Sequence, residues 1–251
     1  MSNAERMTNP DERACARFHW SLVIRHSSFG AEGGFTLIEL IVVVGVIIIL
    51  VGLVLSTAGY ARKKGARARA ETEIAALAAA LESYKADNAV YVRDCTTTDA
   101  LLASSSGDPT TYQNASLYLY KQLSGDTNAN LQPPAGAKSY FTFKSTPPST
   151  DGTSNSGMLS ITRSGNTYTV NYIRDPFGNS YGYSTLSANY LDWQNYDACV
   201  GHGGNCQPPS CPRPSSPGFN PTFDLWSTAG LTANPSPPPN DTITPQWIKN
   251  W

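Results

Sequence analysis

FTLIELIVVVGVIIILVGLVLS, residues Phe35 to Ser56, decides the fold. Its 22 residues carry one ionisable group, Glu39. An α-helix rises about 1.5 Å per residue, so this stretch spans roughly 33 Å, enough to cross the hydrocarbon core of a bilayer. The core helix of a soluble domain keeps a polar side, and so long a run of Val, Ile and Leu has none. A cleavable secretory signal has an apolar region of about 7–15 residues near the chain start, ending at small residues. Here the run begins at residue 35 and is followed by Arg62, Lys63, Lys64, Arg67 and Arg69. The reading is a retained membrane helix.

Glu39 needs an explanation within that run. A carboxylate in hydrocarbon costs about 2.5–3.5 kcal/mol even on mild insertion scales, and no Lys, Arg or His lies in the stretch to offset it. Two readings follow. Either the helix dipole and headgroup water hold the acid near the helix N-terminus, or it meets a new N-terminal amine in an assembled filament.

At this point the residues carry a resemblance. GGFTLIELIVVVGVIIIL, starting at Gly33, resembles the processing and assembly motif of type IV prepilins and type II secretion pseudopilins. The resemblance implies cleavage between Gly34 and Phe35 by a prepilin peptidase and methylation of the Phe35 amine. It also implies pairing of Glu39 with the Phe35 amine of an adjacent subunit. ALAAALESYKADNAVY, residues 76–91, is similar to the stem end of the major, G-type pseudopilin. Asp175-Pro-Phe-Gly-Asn-Ser-Tyr181 resembles that family's DPWGNPY turn, and Phe223-Asp-Leu-Trp-Ser227 its DIFS-type strand.

The chain also departs from the family pattern. Ser56 stands where the family has a proline near the membrane exit, and Val92 replaces the proline after the last stem tyrosine. The 34-residue leader is long, and Met7 is an alternative start. Residues 95–157 and 185–220 are insertions relative to the compact family head.

The expected architecture is therefore α+β and pilin-like, with a long N-terminal helix packed on a small antiparallel β-sheet head with long loops. Its divisions are a leader at 1–34, a membrane helix at 35–56, an amphipathic stem at 57–91 and an exported head at 92–251. In the stem, Ile74, Leu77, Leu81 and Tyr84 recur at helical spacing, opposite Glu71, Glu82 and Lys85. In the head, Tyr140–Lys144 reads as a strand. Met158–Arg163 and Thr167–Arg174 alternate across Ser164-Gly165-Asn166 as a hairpin, with Tyr168, Val170 and Tyr172 facing the stem stripe. Segments 145–157, 207–221 and 233–240 read as exposed loops.

Charge and cysteines bound the function. The chain has 18 basic and 19 acidic residues, so no global field favours nucleic acid, and none is expected as a partner. Counting positive charges would place the basic flank in the cytoplasm. The cysteines point the other way: loss of the leader removes Cys15 and leaves Cys95, Cys199, Cys206 and Cys211, an even number in a loop-rich head. An oxidising compartment permits their pairing. The expected location is the inner membrane, single-pass, with the head in the periplasm. Two disulfides are expected, one joining Cys95 to the later cluster, and a zinc site of Cys199, His202, Cys206 and Cys211 is the competing reading. The scattered acids make no paired constellation, so no enzymatic role is expected.

The resemblance also implies Ca²⁺ in a C-terminal loop. Here the family's Ala-Asp-Gly is Thr228-Ala229-Gly230, one carboxylate short, and Asn240 and Asp241 are the candidate ligand pair. The expected partners are further copies in a filament, other pseudopilins, the inner-membrane secretion platform, the prepilin peptidase and the lipid bilayer. The alternative is a type IV or competence-type minor pilin whose head binds a surface, DNA or other pilins.

Overall fold

A computed structural model describes residues 35–103, 107–231 and 246–251. It is an α+β chain with one long helix, α1 (Leu37–Asn88), followed by the elements of a head. The chain falls into two units, one ending at Gly52 and the other running from Leu53 to Trp251.

In the first unit, α1 is apolar on every side and its side chains are exposed. Among the described residues it is the one helix long and apolar enough to cross a membrane. In the second unit the same helix becomes one-sided, burying Ala70, Glu73, Ile74, Leu77, Ala80 and Leu81. The helix ends at Asn88, three residues before the expected stem end. Ala89 takes a left-handed φ of 62° and its N–H closes onto Lys85 O at 2.8 Å. That stop is fixed by the stem motif itself. Asn88 donates to Tyr84 O and to the Tyr140 hydroxyl, Tyr84 meets Tyr140 edge-on, and Lys85 lies over the Tyr91 ring.

Among the described residues the head holds two three-stranded antiparallel sheets. One orders β1 (Gly152–Ser154), β2 (Leu159–Ser164) and β3 (Thr167–Ile173), the other β4 (Gly182–Ser184), β5 (Asp224–Ser227) and β6 (Ile248–Lys249). The β2–β3 hairpin turns at Gly165-Asn166, as its sequence predicts. Its inward face differs from the expected one. Ile161 pairs with Val170 but Ser160 with Tyr172, leaving Asn171 as an extra residue. Such a bulge shifts the alternation by one. Val170 and Ile173 therefore both enter the core with Ile74, Leu77 and Leu81, Tyr168 packs at its edge, and Tyr172 is left outside it.

The head differs from expectation at further places. Tyr140–Lys144 is not a strand: it has no ladder partner and is held by Tyr140 and Phe141 N–H groups on Leu123 O. Its Tyr140, Phe141 and Phe143 still pack on the core. Residues 145–157, expected as a loop, contain β1. Within the insertions, α2 (Gln113–Ser124) and α3 (Leu186–Gly201) are helices. α2 follows a one-turn 3-10 helix at Pro109–Tyr112, capped by the Asp108 side chain on Thr110 N. It buries Ala115, Ser116, Leu119, Tyr120 and Leu123 and stops at Gly125. Its Ser116 hydroxyl accepts from Ile173 N at 3.0 Å, which joins it to β3.

The second sheet leans on an aromatic cluster. Trp226 stacks parallel to Trp247 at 6.2 Å and takes Tyr112 edge-on at 5.0 Å. Gly182, the cross-strand partner of Trp226, makes room for the indole: a Cβ there would lie 2.0 Å from Trp226 Cε2. Overpacking ordinarily costs about 1–3 kcal/mol, more when backbone must move. Gly182→Ala is therefore expected to destabilise by about 3 kcal/mol or more, read as the loss in thermal midpoint of the full-length protein in detergent. An unchanged midpoint would show that the strand pair shifts freely.

Candidate functional sites

The first site is the start of α1. Thr36 and Glu39 form a reciprocal box at the helix N-terminus. Glu39 Oε2 accepts from Thr36 N at 2.9 Å and from the Thr36 hydroxyl at 2.9 Å. Glu39 N in turn donates to Thr36 Oγ1 at 3.3 Å. This is the Thr-x-x-Glu capping arrangement, which satisfies two amide donors that a helix leaves open. It lies in the sequence as TLIE, and the hydrophobicity of the two intervening residues hides it. Both hydrogen bonds to the carboxylate use Oε2, and among the described residues Oε1 accepts none. Phe35 is 83% exposed ahead of this turn. Gly34 lies outside the described residues.

The second site is where the stem meets the head. Tyr181 donates its hydroxyl to Glu73 Oε2 at 2.8 Å, and Arg69 Nε is 2.7 Å from Glu73 Oε1. Burial, with the Glu73 charge adding to it, pushes the Tyr181 hydroxyl far up, so it remains a donor. The Asp175–Tyr181 turn and the Phe223–Ser227 strand, read separately in the sequence, meet here. Asp175 Oδ1 accepts from Phe177 N at 3.0 Å and Asn179 N at 2.8 Å, and Oδ2 from the Ser227 hydroxyl at 2.5 Å. Burial pushes the Asp175 carboxyl up, and those donors pull against it. Asn179 Nδ2 adds a bond to Thr228 Oγ1 at 3.1 Å.

The third site is the cystine region. The structure joins Cys95 to Cys211 and Cys199 to Cys206. The four-ligand zinc grouping is therefore not assembled. Cys211 is drawn to Cys95, and His202 is the C-cap of α3, its N–H on Ala198, Cys199 and Val200 carbonyls. Cys95, Asp99 and Cys211 do converge, but the two sulfurs are spent on one another. Asp99 is buried and held by Arg93 at 2.8 Å and the Thr185 hydroxyl at 2.6 Å. Arg93 also reaches Asp192 at 2.8 Å. Both disulfides and this charge triad line one open cleft of about 710 Å³. Arg93 is paired with two of the cleft's three aspartates, Asp99 and Asp192, and the third, Asp94, accepts from the Thr96 and Thr97 N–H groups, so the carboxylates are tied into the local structure.

Asn240 and Asp241 lie outside the described residues. The Thr228–Leu231 turn is described: Leu231 N donates to Thr228 O at 3.1 Å, and Ala229 takes a φ of 55°. No family model, curated protein or solved structure matches the chain.

Proposed function

We propose that the chain is a structural, non-enzymatic subunit of a pseudopilus, the inner-membrane-anchored filament of type II protein secretion. In this reading a prepilin peptidase cuts between Gly34 and Phe35 and methylates the new amine. The processed protein stays in the inner membrane by α1 with a pilin-like head in the periplasm. There it joins further copies and other pseudopilins on the secretion platform.

The observation that carries the reading is Glu39. It is the sole ionisable residue in an apolar run, and its cap at the first helical turn uses only Oε2, with no hydrogen bond to Oε1 among the described residues. A cationic Phe35 amine from a neighbouring subunit supplies the missing charge, and two ions that are costly apart in lipid become tolerable together. The junction of Asp175 with Ser227 adds support, because two segments similar to G-type pseudopilin motifs form one joint.

N-terminal mass spectrometry tests the first step. The expected product begins at N-methylated Phe35. An intact leader in membranes containing active prepilin peptidase would sink the reading. A minor-pilin role is the second reading, favoured by the helices α2 and α3 and the cystines that enlarge the head. A secretin and secretion ATPase encoded beside the gene would favour secretion, and a retraction ATPase the pilus.

A further inference from the structure

One face of α1 changes character along its length. Tyr60, Lys63, Lys64 and Arg67 stand at i, i+3, i+4 and i+7 and so share a side of the helix. Steps of seven from Tyr60 and Arg67 reach Ile74 and Leu81, both in the buried core. The basic residues thus occupy the face that the head covers further along. Among the described residues nothing covers that face here, and it looks into a cleft of about 750 Å³. The opposite wall is Phe177 and Leu231 with the Ala229-Gly230 backbone. A Cβ at Gly230 would stand 3.2 Å from Phe177, so glycine lets this turn close against the ring.

Among the described residues the cleft has one sign of charge: three cations line it and no carboxylate does. Arg67 is partly engaged, 3.4 Å from Glu71 and donating to Gln246 O at 3.0 Å. Lys63 and Lys64 make no ion pair or hydrogen bond among the described residues. Little more than one turn earlier, Val54 and Leu55 are 66% and 69% exposed at the end of the apolar run. Tyr60, 71% exposed, stands between run and cations, where an aromatic residue suits a membrane–water boundary. An occupant must bring negative charge to the lysines and an apolar body to Phe177 and Leu231, within a turn or so of the membrane helix.

We propose that this cleft seats an anionic phospholipid, its phosphate on Lys63 and Lys64 and the start of its acyl chains against Phe177 and Leu231. An acidic side chain or a nucleic acid would satisfy the lysines and leave the apolar wall unused. Lipid binding also gives the basic cluster a role on a flank where charge sidedness alone would not place it. The inference requires that α1 cross a membrane and is independent of which machine the protein serves.

Native mass spectrometry of the full-length protein in detergent, titrated separately with phosphatidylglycerol, phosphatidylcholine, glycerol 3-phosphate and inorganic phosphate, tests it. Phosphatidylglycerol is expected to bind at least about tenfold more tightly than phosphatidylcholine. Lys63→Gln with Lys64→Gln is expected to weaken it roughly 30-fold, from a contribution near fivefold per basic residue. Leu231→Ser should weaken phosphatidylglycerol and leave glycerol 3-phosphate unchanged. Unchanged circular dichroism and intact disulfides check that the variants fold. Equal binding of the two lipids, or equal retention by parent and lysine variant, would overturn the proposal. Displacement of the lipid by inorganic phosphate at equal concentration would make this an anion site without a lipid role. Displacement by an acidic peptide or single-stranded DNA at lower concentration would assign it to another class of partner.

Discussion

Glu39→Val is expected to leave the head folded and the protein in the membrane while filament yield falls by about tenfold to a hundredfold. The valine raises the apolarity of the run, so insertion does not suffer. It removes the cap on Thr36, a loss of about 1 kcal/mol at one helix end. In the proposed filament it would also strand the cationic amine of the neighbouring subunit in lipid, a penalty of about 2.5–3.5 kcal/mol per subunit joined. Glu39→Gln separates the two effects. Glutamine can complete the capping box with Thr36 but carries no charge. If charge pairing drives assembly, both variants fail alike in a sheared-filament immunoblot and in a secretion assay. If Glu39→Gln assembles as the parent does, the carboxylate serves only its own helix, and the pairing mechanism falls.

The second large effect is expected from the cystines, and the two should differ. Cys95–Cys211 closes a loop with a sequence separation of 116, and Cys199–Cys206 one of 7. On the chain-entropy account, the long loop is stabilised by about 4–5 kcal/mol and the short one by about 2–3 kcal/mol. The long bridge also guards a buried interior: Asp99, Arg93 and Thr185 lie beside it, and Trp193 donates to Cys211 O at 3.0 Å. Replacing Cys95 and Cys211 by Ser is expected to cost the larger amount and to open 185–220 to protease while α1 remains helical. Replacing Cys199 and Cys206 should chiefly fray the end of α3. Thermal melts of both double variants and a non-reducing peptide map give the answer. A map pairing Cys95 with Cys199 or Cys206, or equal melting losses, would refute the assignment.

What was legible in the sequence follows from the strength of the local signal. The apolar run and the Ile74/Leu77/Leu81 stripe announce α1, because nothing but a helix satisfies twenty backbone pairs in lipid. The hairpin at Gly165-Asn166 was legible from turn chemistry and alternation. The inward face of β3 was not, since a bulge at Asn171 leaves no mark in an alternating pattern. α2 and α3 lie in stretches that the sequence marks only as insertions, among surroundings rich in Ser, Thr, Gly and Pro. Yet Leu119, Tyr120 and Leu123 before Gly125 make a helix stripe with its stop, and residues 186–200 contain neither Gly nor Pro. At the candidate sites, residue types were legible and junctions were not. Asp175 and Ser227 lie far apart in the chain, and only the antiparallel return of β5 beside β4 brings them together.

That return has a consequence for how the head varies. Ser184 and Asp224 face one another across the ladder, so everything from Thr185 to Phe223 leaves and re-enters at adjacent strand positions. The frame around the stem does not measure how long the detour is. An excursion of this kind can be lengthened, shortened or exchanged with its two ends still docked, and its cross-link to Cys95 acts as a mooring line for whatever cargo the detour carries. The head thus behaves as a socket with a removable fitting, in which surface identity can drift while the frame packed on α1 stays the same.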